Sequence, residues 1–236
     1  MNNNKIVVEI WGDFGLFTRP DMHLERVSYD MITPSAARNI LESIYYKYTE
    51  FYYQIEKIEV LNPIKTISIK KNEVRSKAKV SGNKIRYINT TDSRTQRNSV
   101  YLRDVRYRIT ASIHIRDNVK PHVNVKSLTD QCLRRIEKGK CFSAPFLGTR
   151  ECMCFFSPPN YNNKPIQISK DLGIMLYDVF DFTKINPVLN TTRGKESGLP
   201  NVTFFDAKLI DGVLFVPEYH SSLVYKLGGK DVSTTI

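Results

Sequence analysis

The sequence has few of the residues on which metal sites and nucleophile sites depend. It contains four cysteines and four histidines, with no C-x-x-C pair and no histidine at ligand spacing from a cysteine. The P-loop, the G-x-G-x-x-G turn, H-E-x-x-H and paired-carboxylate signatures are also absent. We therefore expect reduced, buried or partly buried thiols, no metal site and no cofactor.

Long apolar segments are missing as well. No run reaches the ~18 apolar residues that cross a bilayer, and the N-terminal MNNNKIVVEIWG lacks the basic start and apolar core of a signal peptide. No helical pattern combines a basic cluster with an apolar face, which argues against an anionic membrane as the partner. These absences predict a cytoplasmic protein with no membrane partner.

Positive charge is abundant, but it is concentrated in one segment. The whole chain has a net charge of +11, and residues 65–116 alone carry 14 basic and 3 acidic side chains, which also gives +11. A local excess of this kind is typical of a surface that binds a polyanion, most often nucleic acid. The alternative is a basic surface that meets only solvent.

The clearest periodicity in the chain lies within that segment, in LRDVRYRITASIHIRD at residues 102–117. Apolar residues alternate with arginines, hydroxyl residues and a histidine, and period-two alternation predicts a strand with one buried face. The other face holds Arg106, Arg108 and Arg116, which we interpret as contacts for the polyanion.

Periodicity and capping signals predict an α+β protein. Thr33-Pro34 begins a helix that runs to about Lys47, and Ser127 caps a second helix at 128–138. The basic stretch 65–98 is interpreted as an extended hairpin or a mobile arm. Strands are predicted at 5–14, 51–64, 102–117, 146–156 and 172–182, with two more in 202–219.

This order predicts a ferredoxin-like domain of the RRM or RAMP type at residues 1–159, with a basic insertion at 65–100. A small C-terminal domain at 160–236 is predicted as a three-stranded antiparallel β-sheet.

RNA permits a cleavage reaction that needs no metal, because its 2′-OH can attack the adjacent phosphate. One group must remove that proton, another must protonate the leaving 5′ oxygen, and a cation must stabilise the transition state. Tyr45, at the edge of the first helix and on the same side as Arg38, is a candidate together with His114 or His122. A structural role is the alternative for each histidine, and packing is the alternative to base stacking for Tyr87 and Tyr101.

Seven blocks of the sequence resemble the d-type members of CRISPR-associated family five, the processing subunit of subtype I-C systems. They occur in this order: EIWGDFGLFTRP, ERVSYDMITPSAARNILESIYYK, NEVRSK, RTQRNSVYLRDVRYRI, LRRIEKGKCF, PFLGTREC and DLGIMLYDVFDF. The resemblance covers residues 5 to about 182 and is looser beyond them.

The resemblance implies a metal-independent endoribonuclease that cuts the repeat hairpins of precursor CRISPR RNA and leaves a 2′,3′-cyclic phosphate. It also implies that the protein stays on the 5′ handle of the CRISPR RNA and joins the backbone and large subunits of the interference complex. The expected location is the prokaryotic cytoplasm.

The resemblance also assigns site residues. The family's catalytic tyrosine lies in S-I-Y, which is Ser43-Ile44-Tyr45 in this chain. Its adjacent Lys-His pair is not intact here: Lys126 stands in for the lysine, and His122 is the nearest histidine. PFLGTRE resembles the glycine-rich loop and places Gly148 and Arg150 near RNA. The complete set of expected RNA contacts is Arg38, Arg94, Arg97, Arg106, Arg108, Arg116, Gly148 and Arg150.

Three hypotheses remain open from the sequence. The first is an active endoribonuclease that uses Tyr45, Lys126 and His122. The second is a catalytically weak or inactive subunit that binds the 5′ handle, because the Lys-His pair is altered. The third is a protein that binds or cuts DNA, because a basic face does not distinguish the two polymers.

Overall fold

The computed structural model describes residues 4–22, 24–76, 79–81, 84–116, 123–183 and 202–227. Its two helices are α1 (Pro34–Ile44) and α2 (Val125–Glu137). Its strands are β1 (Lys5–Gly15), β2 (Phe51–Val60), β3 (Lys65–Val74), β4 (Lys79–Ser81), β5 (Lys84–Arg86), β6 (Arg94–Ile115), β7 (Phe155–Ser157), β8 (Lys170–Asp178), β9 (Val202–Ile210), β10 (Val213–Phe215) and β11 (Val224–Leu227).

Nine of these strands form one sheet in which every strand pair is antiparallel. The order along the sheet is β11-β9-β10-β2-β6-β1-β7, with β3 beside β6 and β8 beside β9. The central strand β6 pairs with β1 through Val8↔Ile109 and with β2 through Ile58↔Ile109. The helices α1 and α2 are the connections from β1 to β2 and from β6 to β7.

The start of α1 follows the signal in the sequence. The Thr33 side chain accepts a hydrogen bond from the Ala36 N–H at 3.3 Å, and Pro34 occupies the first helical turn. The helix ends earlier than predicted, because Tyr45 is already extended at φ −153° and ψ 121°. Tyr45 is therefore the residue that follows the helix rather than part of its last turn.

The second helix begins before the predicted position. Asn124, not Ser127, is the capping residue, since its side-chain oxygen accepts a hydrogen bond from the Lys126 N–H at 2.9 Å. Asparagine caps helices as well as serine does, so the two signals compete and the earlier one prevails. Gly139 follows the helix with φ +59°, in the left-handed region that glycine favours.

Both faces of the sheet are covered around the C-terminal half of β6, which corrects the expectation of one open face. Ile109, Ala111 and Ile113 are buried in the core, as predicted. On the opposite face Arg108 and Ser112 are also buried, at 3% and 4% exposure. That face is covered by residues 158–183 and 216–220, which hydrogen-bond to Arg108 and Gln54. The two helices cover the opposite, apolar face.

The basic stretch forms an extended hairpin, one of the two predicted alternatives. β3 pairs with residues 94–103 of β6 along its whole length, from Lys65↔Arg103 to Val74↔Arg94. The short strands β4 and β5 pair with each other within the hairpin. We call residues 65–74 and 94–103 the basic ribbon.

The C-terminal strands continue the main sheet, which corrects the expectation of a separate three-stranded sheet. β10 pairs with β2 through Val213↔Glu59, and a fourth strand, β11, pairs with β9. The predicted strand at 146–156 is reduced to a single Phe146↔Met153 bridge followed by β7. The proposed division into domains at residue 159 stays a prediction.

Candidate active site

Tyr45 lies where α1 ends and the chain turns into the loop before β2. Its N–H donates to the Leu41 carbonyl at 2.9 Å, and its own carbonyl accepts from the Tyr53 hydroxyl at 2.6 Å. The preceding carbonyl, that of Ile44, accepts from Arg135 Nη1 at 3.2 Å. The last carbonyls of a helix have no partner within it, so these bonds fix the end of α1.

The segment after α2 adds two further bonds to the same helix end. The N–H groups of Phe142 and Ser143 donate to the Ser43 carbonyl at 2.7 and 3.2 Å. Cys132 on α2 also lies 3.4 Å from the Tyr53 hydroxyl. The backbone of Ser43-Ile44-Tyr45 is thus held by β2, by α2 and by the residues that follow α2.

The Tyr45 ring is 8% exposed and is enclosed between an aromatic ring and a cation. The Phe51 ring centroid is 5.6 Å away, and the Arg135 guanidinium carbon is 5.4 Å from the Tyr45 ring centroid. Among the residues that the structure describes, the Tyr45 hydroxyl has no hydrogen-bond partner. The ring is therefore fixed, while within the described part of the chain its hydroxyl is left without a partner.

Burial raises the pKa of Tyr45 above its ordinary value of 10.0, with Glu50 adding to this effect and the positive charges of Lys47 and Arg135 opposing it. The phenol is consequently protonated at neutral pH. In that state it can donate a hydrogen bond or a proton to an oxygen that is gaining negative charge.

Lys126 does not lie on the Tyr45 side of α2. It is an exposed residue in the first turn of α2, nine residues before Arg135. At ~100° per residue the two side chains leave the helix in opposite directions, and Arg135 is the one that points toward Tyr45. Lys126 instead lines a shallow groove with Asp130 and Leu133. Its catalytic role stays a prediction, and this arrangement does not favour it.

His122 lies outside the described residues. Arg116 is the last described residue before it. Its N–H donates to the Glu50 carbonyl at 3.0 Å, and its Nη2 donates to the Tyr46 hydroxyl at 3.0 Å.

Three of the expected RNA contacts are buried in the protein: Arg38, Arg108 and Arg116. For Arg108 and Arg116 this contradicts the exposed strand face on which the prediction depended. Arg38 is 4% exposed and binds both Asp178 carboxylate oxygens, at 2.9 and 3.2 Å. Its Nη1 also binds Glu42 at 2.5 Å, so Arg38 joins α1 to the end of β8. In this position the guanidinium is occupied by internal carboxylates.

Arg108, on β6, is also enclosed by other parts of the protein. Its Nη1 lies 3.3 Å from a Glu59 carboxylate oxygen, and its Nη2 donates to the carbonyls of Asn160 and Asn163 at 2.8 and 2.7 Å. Glu9, which is fully buried, lies 3.8 Å away. The polar residues 160–163 cover this arginine, and nothing in the strand pattern of β6 predicts that cover.

Arg116 is 5% exposed and is covered by aromatic residues rather than by carboxylates. Its guanidinium carbon is 5.3 Å from the Tyr52 ring centroid, and its Nε and Nη1 have no hydrogen-bond partner among the described residues. The His114 ring also stacks on Tyr52, with the two ring centroids 5.4 Å apart. This position agrees with a structural role for His114.

The remaining expected arginine contacts lie at the surface. Arg106 is partly exposed, binds Glu9 at 2.6 Å and lies 5.1 Å from the Trp11 ring centroid. Arg97 is 3.5 Å from Glu73 on the basic ribbon. Arg94 and Arg150 are exposed. RNA binding by these four stays a prediction, and their exposure is compatible with it.

Gly148 is required by a close approach of two backbones. It has φ +86°, and a Cβ at this position would lie 2.0 Å from the Leu16 carbonyl oxygen. The Leu16 N–H donates to the Leu147 carbonyl at 3.0 Å, which holds the Gly148 loop against the end of β1. A cleft of about 340 Å³ separates this loop from the start of α1 and from Asp178.

One face of the basic ribbon is an open polar surface, and the strand pattern did not single it out. Lys70 lies opposite Asn98, and Asn72 lies opposite Gln96. The exposed polar side chains on this face are Thr66, Ser68, Lys70, Asn72, Arg94, Gln96 and Asn98, and Val74 is exposed on the same face. The sequence analysis did not use the signal for this face, which is the alternation of polar side chains in residues 66–72 and 94–98.

In the described part of the chain, no three or more His, Cys, Asp or Glu side chains are grouped to hold a metal ion. Cys132, Cys152 and Cys154 are buried, and Cys141 is exposed. No described helix has the length and apolar character needed to cross a membrane.

Comparison with protein families identifies the chain. The model of a family described as CRISPR-associated protein (Cas_Cas5), Cas5d type, matches residues 5–217, from the start of β1 to just beyond β10. The chain belongs to the Cas5d family. The resemblance of the seven sequence blocks is thereby confirmed.

Two curated relatives are similar over nearly their whole length. One, from Mannheimia succiniciproducens, is 37% identical over 94% of this chain and 98% of its own. Another, from Thermus thermophilus, is 35% identical over 94% of this chain and 96% of its own. Both are named CRISPR pre-crRNA endoribonuclease Cas5d.

Solved structures show the same fold at lower identity. A crystal structure of a CRISPR-associated protein superposes with a TM-score of 0.63 at 22% identity, covering 94% of this chain and 96% of the other. A functionally uncharacterized protein from Streptococcus mutans superposes with a TM-score of 0.62 at 23% identity and the same coverage.

Proposed function

We propose that this chain is a metal-independent endoribonuclease that binds and cuts the repeat hairpin of precursor CRISPR RNA. The observation that carries the proposal is the fixed Tyr45 ring, whose hydroxyl is protonated and, among the described residues, unpaired beside the Arg135 cation. The names of the two curated relatives agree with it. The order β7-β1-β6-β2, with α1 and α2 as connections, supports a ferredoxin-like unit as the scaffold.

In the proposed reaction the 2′ oxygen forms a bond to the adjacent phosphorus, and the bond from phosphorus to the 5′ oxygen breaks. His122 accepts the 2′ proton, and Tyr45 donates a proton to the leaving 5′ oxygen. The products are a 2′,3′-cyclic phosphate and a 5′-hydroxyl, so no water molecule or metal ion takes part.

The open face of the basic ribbon is the proposed path of the RNA backbone. Lys70 and Arg94 neutralise phosphates, while Asn72, Gln96 and Asn98 are placed to hydrogen-bond sugars and bases. After cleavage the chain remains on the 5′ handle and joins the backbone and large subunits of the type I-C interference complex. This assembly takes place in the prokaryotic cytoplasm, where the precursor RNA is transcribed.

The test is cleavage of the cognate repeat RNA by the purified chain in EDTA. We expect one cut that ends in a 2′,3′-cyclic phosphate and no cut when the scissile 2′-OH is replaced by hydrogen. Tyr45→Phe should lower the single-turnover rate about 100-fold or more, since general acid catalysis contributes 10²–10⁴-fold, and should leave RNA binding within about threefold. Tyr48→Phe, which removes an exposed hydroxyl three residues later, is the matched control and should cut normally.

A second candidate function is a subunit that binds the 5′ handle without cutting. The direction of Lys126, away from Tyr45, favours this alternative. Tight binding with no cut at excess protein would establish it and exclude the endoribonuclease. Continued cleavage of the 2′-deoxy substrate would instead establish a DNA-type nuclease.

A further inference from the structure

Arg135 is a cation that lies against the Tyr45 ring and belongs to the other helix, α2. Its Nη1 donates to the Ile44 carbonyl at 3.2 Å, directly before Tyr45. Its guanidinium carbon lies 5.4 Å from the Tyr45 ring centroid. Arg135 thus touches both the backbone and the ring of the segment that carries the hydroxyl.

The charge of Arg135 is not neutralised by a neighbouring acid. Within residues 4–22, 24–76, 84–116, 123–183 and 202–227, no carboxylate lies within 4.0 Å of its guanidinium, whereas Arg38, Arg106 and Arg108 are all paired. Its Nε is buried and has no hydrogen-bond partner in the same ranges. A buried N–H without a partner lowers stability.

The chemistry of a tyrosine acid gives this charge a use. A phenol that donates its proton becomes a phenolate, and a cation within a few ångströms in a poorly solvated site stabilises that anion. Among the described residues, the other titratable groups that act on the ring are the Cys132 thiol and the pair Lys47 and Glu50, whose charges are opposite and which lie 3.0 Å apart. Arg135 is therefore, in the described part of the chain, a cation without a paired acid that the phenolate would meet.

We propose that Arg135 is a positioning residue for Tyr45, which fixes the ring at the end of α1 and stabilises its ionised form during proton donation. This inference rests on the proposed function, because it assigns Tyr45 the role of the acid. Arg135 acts through Tyr45 and makes no contact with RNA in this assignment.

The first test compares Arg135→Gln and Arg135→Lys with Arg134→Gln under single-turnover conditions. Arg134 is the exposed neighbour on α2, bonded to Gln131 and remote from Tyr45, so it is a matched control for the loss of charge. We expect Arg135→Gln to lower the cleavage rate about tenfold or more, with RNA affinity within about threefold. Arg135→Lys should recover part of the rate, because it keeps the charge but not the planar fork.

A parallel loss of rate and affinity in Arg135→Gln would overturn the proposal, since Arg135 would then bind RNA directly. An equal loss in Arg134→Gln would also overturn it, because the effect would then follow net charge rather than position.

The second test does not need cleavage. Carbon-13 labelling of the tyrosine ring allows the Tyr45 phenol to be titrated by NMR, with its signal assigned from Tyr45→Phe. Arg135→Gln should raise the pKa of this phenol relative to the wild type, Arg135→Lys should raise it less, and Arg134→Gln should leave it unchanged. A pKa that does not respond to Arg135→Gln would overturn the proposal.

The two tests separate the failure of this inference from that of the proposed function. If the wild type does not cut RNA, or if Tyr45→Phe cuts as well as the wild type, the proposed function fails. The titration then still decides whether Arg135 sets the protonation of Tyr45.

Discussion

Residues 94–103 of β6 pair with β3 on the basic ribbon, whereas residues 105–115 lie in the middle of the sheet between β1 and β2. Arginine occurs in both halves. Arg94 and Arg103 are exposed on the ribbon, while Arg108 is 3% exposed and Arg116, just beyond the strand, is 5% exposed. Arginine content therefore does not identify an RNA surface, because a second layer of chain decides which guanidinium groups remain accessible.

The largest expected effect is on the buried half. Arg108→Ala removes the partner of Glu59 and of the Asn160 and Asn163 carbonyls, so two buried acids, Glu9 and Glu59, lose a neighbouring cation. Breaking a buried charge pair typically costs about 3–5 kcal/mol of unfolding free energy. Urea denaturation measures this loss, and a loss below about 1 kcal/mol would contradict the assigned structural role.

A smaller effect is expected from Glu9 on the same buried face. Burial by itself raises the pKa of Glu9, but hydrogen bonds from the Asn160 N–H, Arg106 and Asn163 lower it below 4.5 overall. The contribution of ionised Glu9 to the free energy of unfolding is therefore fully present above pH 4.5. It is lost as the pH falls through the lower pKa that Glu9 has in the folded state.

Glu9→Gln should reduce unfolding free energy by about 1–3 kcal/mol at neutral pH and should flatten its dependence on acid. The measurement is urea denaturation across a pH series from 6 to 3. Equal acid dependence in the wild type and the variant would show that Glu9 is not the group that titrates.

A still smaller effect is expected where the basic ribbon meets the Gly148 loop. Lys71 binds Glu151 at 2.5 Å and Tyr101 at 2.9 Å, and its hydrogen bond lowers the pKa of Glu151 to about 2. The two side chains are 31% and 46% exposed, so a coupling of no more than about 1 kcal/mol is expected.

A double-mutant cycle with Lys71→Met and Glu151→Gln measures this coupling. It should be present above pH 4.5, decline as the pH falls toward 2, and weaken in high salt. A coupling that does not respond to salt would show that Lys71 acts through packing on Tyr101 and not through charge.

The smallest effect on stability is expected on the open face of the ribbon. Lys70→Ala and Arg94→Ala should change unfolding free energy by no more than about 0.5 kcal/mol. Each should weaken RNA binding and reduce the salt dependence of log Kd by about 0.7 for every phosphate that is no longer neutralised. Lys208→Ala, which removes an exposed lysine from β9, is the control and should leave RNA binding unchanged.

Local signals predicted the parts of the fold that depend on neighbouring residues. Thr33-Pro34 marks the start of α1, and the alternation of β6 marks its buried apolar face correctly. The end of α1 was placed too late, because Arg135, Phe142 and Ser143 hold its last carbonyls and lie about 90 to 100 positions away in the chain. Capping by such distant groups leaves no mark in the helix sequence itself.

The sequence pointed to Tyr45 twice, by its predicted place on the helix edge and by the S-I-Y resemblance, and its role as a site residue stays a prediction. Neither pattern pointed to Arg135. The sequence did contain a signal for Arg135. It lies on α2 next to Ile136 and three residues after Cys132, both of which are buried, so its side chain starts at the edge of the buried face of the helix. Its contact with Tyr45 depends on the crossing of two helices, which periodicity within one helix does not specify.

The sequence by itself determined the presence of the two helices and of most strands, the location of the basic excess and membership of the Cas5d family, since each of these is recorded in local pattern or in extended similarity. Only the tertiary structure decided which arginines are accessible. Arg38 meets Asp178 across 140 positions, and Arg108 meets residues more than 50 positions away. Alternation specifies that a strand has two faces, but burial of the second face depends on which distant segment packs against it.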